Sequence, residues 1–424
     1  MSWPSERVMT LQQNGVLLVE DGNHGEYRPR PEEFISDGVS FIRAADMDGG
    51  RVLFESAESI TDIAFDRIRK GIGKPGDCIL SHKGTIGRTA FVPLDELTPF
   101  VCSPQTTFWR VIDSERLDRR YLYFYMMSSD FVGQLRKVQN ETDMAGYVSL
   151  TNQREFVVPL PPPGVQKEIA EILSSLDDKI ELNRKQNRTL EVITQALFKR
   201  WFVEFEFPDE NGQPYKSSGG AMQPSELGEI PVGWEVGAVG DLVSHSKDSI
   251  NPGNQPEDQF FHFSIPNFDD GQSAKPELGS TILSNKYSVH ADSILVSKLN
   301  PRFPRIWPVL SLPDELSVCS TEFQVLIPGK EAYGYVLSLL KSPYVATEMV
   351  LRASGTSGSH QRINPDDLLS IEVVRPPSDL IERFSSAVMD GFEKSQSNLD
   401  QMKILAGLRD TLLPKLVSGE LRVT

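Results

Sequence analysis

Three stretches of the sequence combine basic, amide and hydroxyl side chains with residues that favour turns. They are the loop SHKGTIGR at 81–88, the loop SKLNPRFPR at 297–305 and the stretch GTSGSHQR at 355–362. The chemistry that they offer is recognition, since Arg and Lys pair with guanine edges and Asn and Gln pair with adenine edges. Taken singly, each residue is equally compatible with an ordinary surface charge or turn residue. The candidate contact residues are Lys83, Thr85, Arg88, Lys298, Asn300, Arg302, Arg305, Ser359, Gln361 and Arg362.

Motifs that resemble catalytic or metal sites lack the surroundings that such sites need. The stretch GIGKPG at 71–76 fits a dinucleotide fingerprint, but it follows a helical pattern and leads into a strand, so we interpret it as a turn. Asn364-Pro365 is followed by two aspartates, without a methyl-donor loop. The three cysteines are isolated, and no histidine pair has ligand spacing. We therefore predict no catalytic residue, no metal and no cofactor in this chain.

Composition predicts a cytoplasmic protein of two or more domains. The chain has 424 residues, of which 39% are hydrophobic, and it contains neither a long apolar run nor the layout of a signal peptide. Its net charge of −16 argues against nucleic acid, because duplex affinity depends on Lys and Arg that neutralise phosphates. Binding depends on local clusters rather than on the whole-chain sum, however. Composition alone favours a protein that does not bind DNA.

An internal repeat organises the chain. Matching residues recur 215 positions later in four blocks, and chance matches would scatter over many offsets. The blocks are ILSHK at 79–83 with ILVSK at 294–298, TTFWRVI at 106–112 with TEFQVLI at 321–327, the Pro-Pro pairs at 161 and 376, and the helices that follow them. We infer a duplicated unit of about 200 residues, in which short strands precede a helical stretch, a Pro-Pro stop and a long helix.

Both long helices carry a coiled-coil seam. From 164 to about 202, apolar residues recur alternately three and four apart. The second copy is interrupted by polar residues, and Pro414 is predicted to end it. About 40 residues make a rod of roughly 60 Å, which is longer than the roughly 34 Å of one duplex turn. Such a rod is long enough to act as a ruler.

Polar residues in this seam predict how the helices pair. Asn183 and Asn398 lie near mid-helix, and antiparallel pairing would bring them within about one turn of each other, buried and fixing register. Alternatively, these amides face solvent. The predicted helix-pairing residues are Asn183, Leu190, Leu197, Asn398, Leu405 and Leu412.

Over essentially its full length the chain resembles the specificity subunits of type I restriction-modification systems. The strongest matches are GEIPVGW at 228–234, FVEFEFPDENGQPYKSSGG at 202–220 and LRDTLLPKLVSGELR at 408–422. Further similar segments are DGNHGEY at 21–27, GDCILSHKGTIGR at 76–88 and VPLPPPGVQKEIAEIL at 158–173. The first half lacks a counterpart of GEIPVGW and begins only with SWP at 2–4.

The resemblance implies a non-catalytic DNA-recognition subunit. Two target-recognition domains each read half of a bipartite site in double-stranded DNA, and two antiparallel spacer helices bind the methylating subunits. Two modification subunits and the translocating restriction subunits complete the complex, which methylates adenine or cleaves foreign DNA. S-adenosylmethionine, ATP and Mg²⁺ are expected on those partners.

The predicted fold class is α+β, with two tandem mixed α/β target-recognition domains separated by two long antiparallel spacer helices about a pseudo-two-fold axis. The predicted segments are 1–163 for the first domain, 164–206 for the first helix, 207–233 for a linker rich in Pro, Gly and Ser, 234–377 for the second domain, and 378–424 for the second helix and tail. The alternative is a coiled-coil protein-binding adaptor without sequence-specific readout, which explains the helices but not the loops.

Overall fold

The structure is a computed structural model that describes residues 3–140, 146–312, 316–355 and 361–423. Its backbone contacts divide the chain into two compact units. Unit 1 comprises Met1–Glu181 together with Lys403–Thr424, and unit 2 comprises Leu182–Met402. Unit 1 is therefore discontinuous in sequence, whereas unit 2 is one uninterrupted segment. Both boundaries of this division fall inside the long helices.

The helices and strands of unit 1, in chain order, are β1 Ser5–Arg7, α1 Val8–Gln13, β2 Leu17–Asp21, β3 Phe34–Ile35, β4 Val39–Ile42, β5 Met47–Asp48, β6 Arg51–Val52, β7 Ser59–Ile60, α2 Asp62–Arg67, β8 Cys78–Ser81, β9 Thr89–Phe91, β10 Phe100–Cys102, β11 Thr106–Val111, α3 Arg119–Met127, α4 Ser129–Asn140, α5 Leu150–Glu155 and β12 Val157–Pro159. They are followed by the first long helix, α6, at Pro163–Phe202.

Unit 1 is layered around a six-stranded sheet with the order β2-β11-β8-β9-β6-β5. Successive residues of a strand point to opposite faces of a sheet. Leu80 and Trp109 accordingly join a core cluster with α3 and the long helices. Ile79 and Phe108 face the other way, into a cluster shared with the four-stranded sheet β10-β4-β7-β3. The main sheet thus lies between helices and a second sheet.

The elements of unit 2 are β13 Met222–Ser225, β14 Gly228–Pro231, β15 Glu235–Ala238, β16 Val243–Ser246, β17 Ser249–Ile250, β18 Gln259–Phe263, α7 Ile265–Asp269, β19 Lys275–Leu278, β20 Lys286–Ser288, β21 Ser293–Ser297, β22 Ile306–Val309, β23 Leu316–Cys319, β24 Phe323–Pro328, α8 Tyr333–Leu340, α9 Pro343–Leu351, α10 Pro365–Leu369 and β25 Glu372–Arg375. The second long helix, α11, covers Ser378–Ser418.

Unit 2 repeats this topology. Its main sheet has the order β16-β24-β21-β22, which matches β2-β11-β8-β9 of unit 1. A second sheet, β17-β20-β23-β18-β19, contains a parallel pair, β18 with β23, as β4 with β10 does in unit 1. Phe323 in β24 faces the second sheet, as Phe108 does in β11. The mixed α/β units and the long helices agree with the predicted fold class.

One block of the sequence repeat, 79–83 with 294–298, does not occupy equivalent positions in the two units. Ile79 faces the second sheet of unit 1, whereas Ile294 faces the helices of unit 2. In β11, Phe108 lies opposite Ile79, but its counterpart Phe323 lies opposite Ser297. Because side chains alternate along a strand, this shift reverses which face each residue occupies. Lys83 and Lys298 are therefore not equivalent positions, although their letters match.

The long helices pack against each other in unit 1. Ile169 and Leu173 of α6 share the core of unit 1 with Leu413 and Leu416 of α11. The helix continues through Pro414, although the sequence predicted its end there. A helical proline removes one backbone hydrogen bond and crowds the preceding turn. Burial of the leucines on either side of Pro414 offsets that cost.

The helices also pair in unit 2, where they run antiparallel. Asn183 Nδ2 donates to Gln401 Oε1 at 2.8 Å, and Asn398 Nδ2 donates to Asn187 Oδ1 at 2.8 Å. Asn183 and Asn398 are 0% and 1% exposed, so the alternative in which they face solvent does not apply. They do not bond to each other, because each finds its partner about one turn away. The Oδ1 atoms of both are buried, with no hydrogen-bond partner among the described residues.

The other predicted helix-pairing residues occupy different surroundings. Leu190 packs against Gly391 of α11, where an added Cβ atom would lie 3.8 Å from Leu190 Cδ2. Leu197 packs on the core of unit 2 and Leu412 on the core of unit 1, whereas Leu405 is half-buried.

Replacing Asn183 with leucine is expected to raise the free energy of unfolding of unit 2 by about 1 kcal/mol, because the change removes a buried acceptor that has no donor. Thermal unfolding of the full chain measures it. Asn187→Leu is the matched control: both groups of that amide are bonded, Nδ2 to Ser395 O at 3.0 Å, so stability should fall. A loss of stability in both variants would contradict this expectation.

The segment at 207–233, predicted to be a linker, is part of unit 2 and contributes to its core. Strands β13 and β14 form an antiparallel hairpin within it. Phe207 stacks on Tyr215 and on Trp234, with ring centroids 4.6 Å and 5.1 Å apart. Its Pro, Gly and Ser residues make the turns, but its aromatic rings bury too much apolar surface for a free connection. None of the helices in the described ranges is long and apolar enough to cross a membrane.

Candidate nucleic-acid interface

The loop at 81–88 connects β8 to β9 in unit 1. Lys83 and Thr85 are exposed on it. Gly84 and Gly87 have φ angles of 78° and 94°, which only glycine adopts without strain, so the tight turn depends on them. The loop thereby presents short stretches of backbone and two polar side chains to the surface.

Arg88 differs from the other two candidates in this loop because its side chain already has partners. Its Nη1 donates to Ala44 O at 3.1 Å and to Met47 O at 3.2 Å, and its backbone N donates to Ser81 Oγ at 2.9 Å. Arg88 therefore braces the loop against a neighbouring segment, although its side chain remains exposed.

His82 ties the loop to a second turn. Its buried ring places Nδ1 3.0 Å from Val148 O, which assigns the Nδ1 proton. Its Nε2 lies 3.8 Å from Asp21 Oδ1. The backbone N of His82 donates to Gln105 O at 3.0 Å. Lys83, the next residue, is thereby held close to the turn that contains Gln105.

The loop at 81–88 and the turn that contains Gln105 border an open cavity of about 390 Å³ in unit 1. Phe34 and Phe41 form one wall, with their rings edge to face and their centroids 5.5 Å apart. Four separate segments of the chain supply the rest of the lining, which combines three basic and two polar residues with two prolines. The lining residues are Arg28, Pro29, Phe34, Phe41, Arg43, Lys83, Ser103, Pro104 and Gln105.

The three cations of the cavity differ in their partners. Arg43 lies 3.6 Å from Asp46 and 3.1 Å from Glu58, so its charge is compensated. Neither Arg28 nor Lys83 has a carboxylate within ion-pair distance in the described part of the chain. Two uncompensated positive charges therefore line one cavity of an acidic protein.

Arg28 is fixed through its backbone. Arg67 Nη2 donates to Arg28 O at 3.3 Å, and the same guanidinium binds both carboxylate oxygens of Glu33, at 2.8 Å and 2.6 Å. The hydrogen bonds from Arg67 lower the pKa of Glu33 to about 2. Glu33 is therefore ionised at neutral pH, and the support of Arg28 persists.

Gln105 sits in a turn that is held on both sides. Ser103 N donates to Ile42 O at 2.8 Å, and Thr106 Oγ1 donates to Ser103 O at 2.9 Å. The Gln105 side chain is exposed, and its amide makes no hydrogen bond within the described ranges. Sequence reasoning missed Arg28, Arg43 and Gln105, because no local cluster of donors marks them. Only the folding of distant segments brings them to Lys83.

In unit 2, carboxylates pair with two of the basic candidates. Arg305 binds Asp269 through two hydrogen bonds of 2.7 Å and 3.0 Å. Arg362 binds Glu322 in the same way, at 3.1 Å and 2.9 Å. Such paired guanidinium groups are oriented, but their charge is compensated.

Lys298 is half-buried, with Nζ 5.5 Å from the centroid of the Tyr287 ring. Burial lowers the pKa of its ammonium group, and the charge of Glu322 opposes that shift. Lys298 is thus a poorer phosphate ligand than the exposed Lys83.

The remaining candidates of unit 2 lie around the same turn. Arg302 is exposed, and no carboxylate pairs with it in the ranges described. Asn300 has a φ of 52°, and its N donates to Gln361 O at 2.8 Å. The side-chain oxygens of Asn300 and Gln361 are buried, and no donor reaches them from the described residues. Ser359 lies outside those residues.

The structure brings together no metal-binding group: in the described part of the chain, no three His, Cys, Asp or Glu side chains are arranged to hold an ion. Cys78, Cys102 and Cys319 are buried and free.

Comparison with known proteins defines the class first. Residues 17–192 match the family described as the type I restriction modification DNA specificity domain, and they include the cavity of unit 1. This segment is therefore similar to DNA specificity domains.

Similarity to individual proteins covers both units. The chain is 29% identical over 411 residues to the type I restriction enzyme MjaIX specificity subunit of Methanocaldococcus jannaschii, covering 92% of this chain and 89% of that one. It is 26% identical over 448 residues to the HindI specificity subunit of Haemophilus influenzae, with 90% and 94% covered. Over most of its length, this chain is similar to the specificity subunits of type I restriction enzymes.

The fold is similar to that of a solved relative. The crystal structure of the type I restriction-modification S subunit from M. genitalium superposes with a TM-score of 0.53 at 14% identity, covering 98% of this chain and 96% of that one. The family resemblance and the predicted fold class are thus confirmed.

Proposed function

We propose that this chain is the DNA sequence-recognition subunit of a type I restriction-modification complex. The observation that carries the proposal is the similarity to specificity subunits over 92% of the chain, which includes both units and both long helices. Each unit binds one half of a bipartite site in double-stranded DNA. Two different half-sites agree with two units of one topology whose surface loops differ in charge and partners.

Catalysis belongs to partner subunits in this proposal. Two modification subunits methylate adenine, restriction subunits translocate and cleave foreign DNA, and these partners bind S-adenosylmethionine, ATP and Mg²⁺. The long helices offer the partners a surface, since Val192 and Ile193 of α6 are 62% and 57% exposed. The complex acts in the cytoplasm, where the DNA of the cell lies.

The complex of this chain with its modification subunits is expected to prefer duplexes that carry its own site. Mapping methylated adenines in DNA from cells with the complete system identifies that site. Affinity should fall about a thousandfold or more between 50 and 200 mM salt, because several phosphates are neutralised. The modification subunits without this chain are the control. Equal binding to all duplexes and no salt dependence would favour the coiled-coil adaptor instead.

A further inference from the structure

The open cavity of unit 1 contains two kinds of side chain suited to two tasks. Among the described residues, no carboxylate pairs with Arg28 or Lys83, and no hydrogen-bond partner binds the side-chain amide of Gln105, which also lines the cavity. We propose that Arg28 and Lys83 grip the DNA backbone and that Gln105 reads one base pair of the half-site bound by unit 1, with a preference for adenine. This inference rests on the proposed function and assigns it to residues.

Arg28 and Lys83 suit phosphate binding because of their charge and exposure. The whole chain has a net charge of −16, so duplex binding requires cations whose charge no carboxylate has cancelled. Both side chains are exposed at the cavity. Their backbones are positioned in advance, Arg28 by Arg67 and Lys83 by the bonds of His82. Such contacts fix register on the duplex without reading sequence.

Gln105 suits base reading because its backbone is fixed while its amide is free. A glutamine amide donates to N7 of adenine through its N–H and at the same time accepts from the N6 amino group through its oxygen, and such a bidentate pair discriminates between bases. The bond from His82 N to Gln105 O ties it to the loop that carries Lys83. The residues that bind phosphate and the residue that reads a base are thereby connected across one cavity. Because their backbones are already fixed, few loops have to become ordered when DNA binds.

The described residues of unit 2 do not combine unpaired cations with a free amide in this way. Arg305 and Arg362 are bound by Asp269 and Glu322, and Lys298 is half-buried. Within the described part of unit 2, Arg302 is the one basic candidate that is exposed without a carboxylate partner. The two phosphate contacts assigned here therefore both lie in unit 1.

The first test measures the salt dependence of duplex binding by the assembled complex. Arg28→Gln and Lys83→Gln should each reduce the slope of log K against log salt by about 0.9, and the double variant by about 1.8. Arg7→Gln is the matched control: it removes one positive charge from unit 1, but Arg7 is exposed, pairs with Glu155 and does not line the cavity. Its slope should equal that of the wild type.

Arg28→Lys and Lys83→Arg keep the charge and should keep the slope, so a loss of folding is distinguished from a loss of phosphate contacts. Thermal unfolding and assembly with the modification subunits are measured for every variant. If folded Arg28→Gln and Lys83→Gln kept the wild-type slope, Arg28 and Lys83 would not contact phosphates, and this part of the proposal would be wrong.

The second test concerns Gln105→Ala. Competition among duplexes with single base-pair substitutions should show that the wild-type complex prefers adenine at one position of this half-site by about 5- to 150-fold. Gln105→Ala should lose that preference. It should keep the salt slope of the wild type and the base preferences at all other positions of the site. An even loss of affinity for all duplexes would overturn the assignment. A wild-type complex without slope or preference would instead overturn the proposed function itself.

Discussion

Replacing Arg110 with methionine is expected to lower the free energy of unfolding of unit 1 by about 3–5 kcal/mol. Arg110 Nε and Nη2 donate to the two carboxylate oxygens of Asp77 at 2.7 Å and 2.6 Å. Asp77 is 0% exposed, so the substitution leaves a buried charge without its cation. Hydrogen exchange of the amides in β8 and β11 measures the loss, with the amides of unit 2 as an internal reference.

The deficit is expected to shrink as the pH falls. Burial raises the pKa of Asp77, and the hydrogen bonds from Arg110 oppose that rise. Without Arg110 the native pKa lies further above the unfolded one. Between these two values only the native state keeps the proton, so stability falls as pH rises through that window. Acidification through the same window therefore returns stability to the variant.

Two further variants test whether the expected loss of stability depends on the burial of the ion pair. Arg305→Met breaks the pair with Asp269, which is 50% exposed, and should cost less than about 1 kcal/mol. Asp77→Asn combined with Arg110→Met removes both charges and should recover most of the stability. Equal losses from Arg110→Met and Arg305→Met would contradict the role of burial.

Inserting one heptad into each long helix is expected to lengthen the spacer between the two DNA half-sites by about three base pairs. Seven residues add about 10 Å of helix, and a duplex rises about 3.4 Å per base pair. The insertions belong between Glu181 and Leu182 and between Met402 and Lys403, where the two units divide. Contacts within each unit are then kept. Mapping methylated adenines should show both half-site sequences unchanged.

An insertion into α6 alone is the control. Asp177 accepts a hydrogen bond from Arg409 in unit 1, and Asn183 donates one to Gln401 in unit 2. With seven extra residues between these bonds on one helix only, either a bond breaks or the longer helix bulges. This variant should lose methylation. An unchanged spacer with both insertions would show that the helices do not set the separation.

The repeated topology was predictable because matched residues occupy matched positions in most elements. Phe108 and Phe323 both face the second sheet of their units, and α6 and α11 begin 215 residues apart, as the repeat requires. The match of Ile79 with Ile294 was misleading. Short apolar strands accept Ile or Leu on either face when both faces are buried, so similar letters do not reveal which face a residue occupies.

The contact residues were less predictable, because their state depends on partners far away in the sequence. Arg305 is bound by a carboxylate 36 residues away, and Arg362 by one 40 residues away. A basic residue in a turn gives no sign that its charge is cancelled. Conversely, Gln105 stands alone in its segment, and only the assembled cavity distinguishes it.

The discontinuity of unit 1 affects how the protein is made. Unit 2 is complete in the nascent chain once Met402 has been added, whereas the core of unit 1 still lacks Leu413 and Leu416. At about 5–20 residues per second, the interval between the synthesis of residues 181 and 403 lasts roughly 10 to 40 seconds. Ile169 and Leu173 thus emerge from the ribosome well before their helical partners exist. During that interval their apolar surface is open to molecular chaperones.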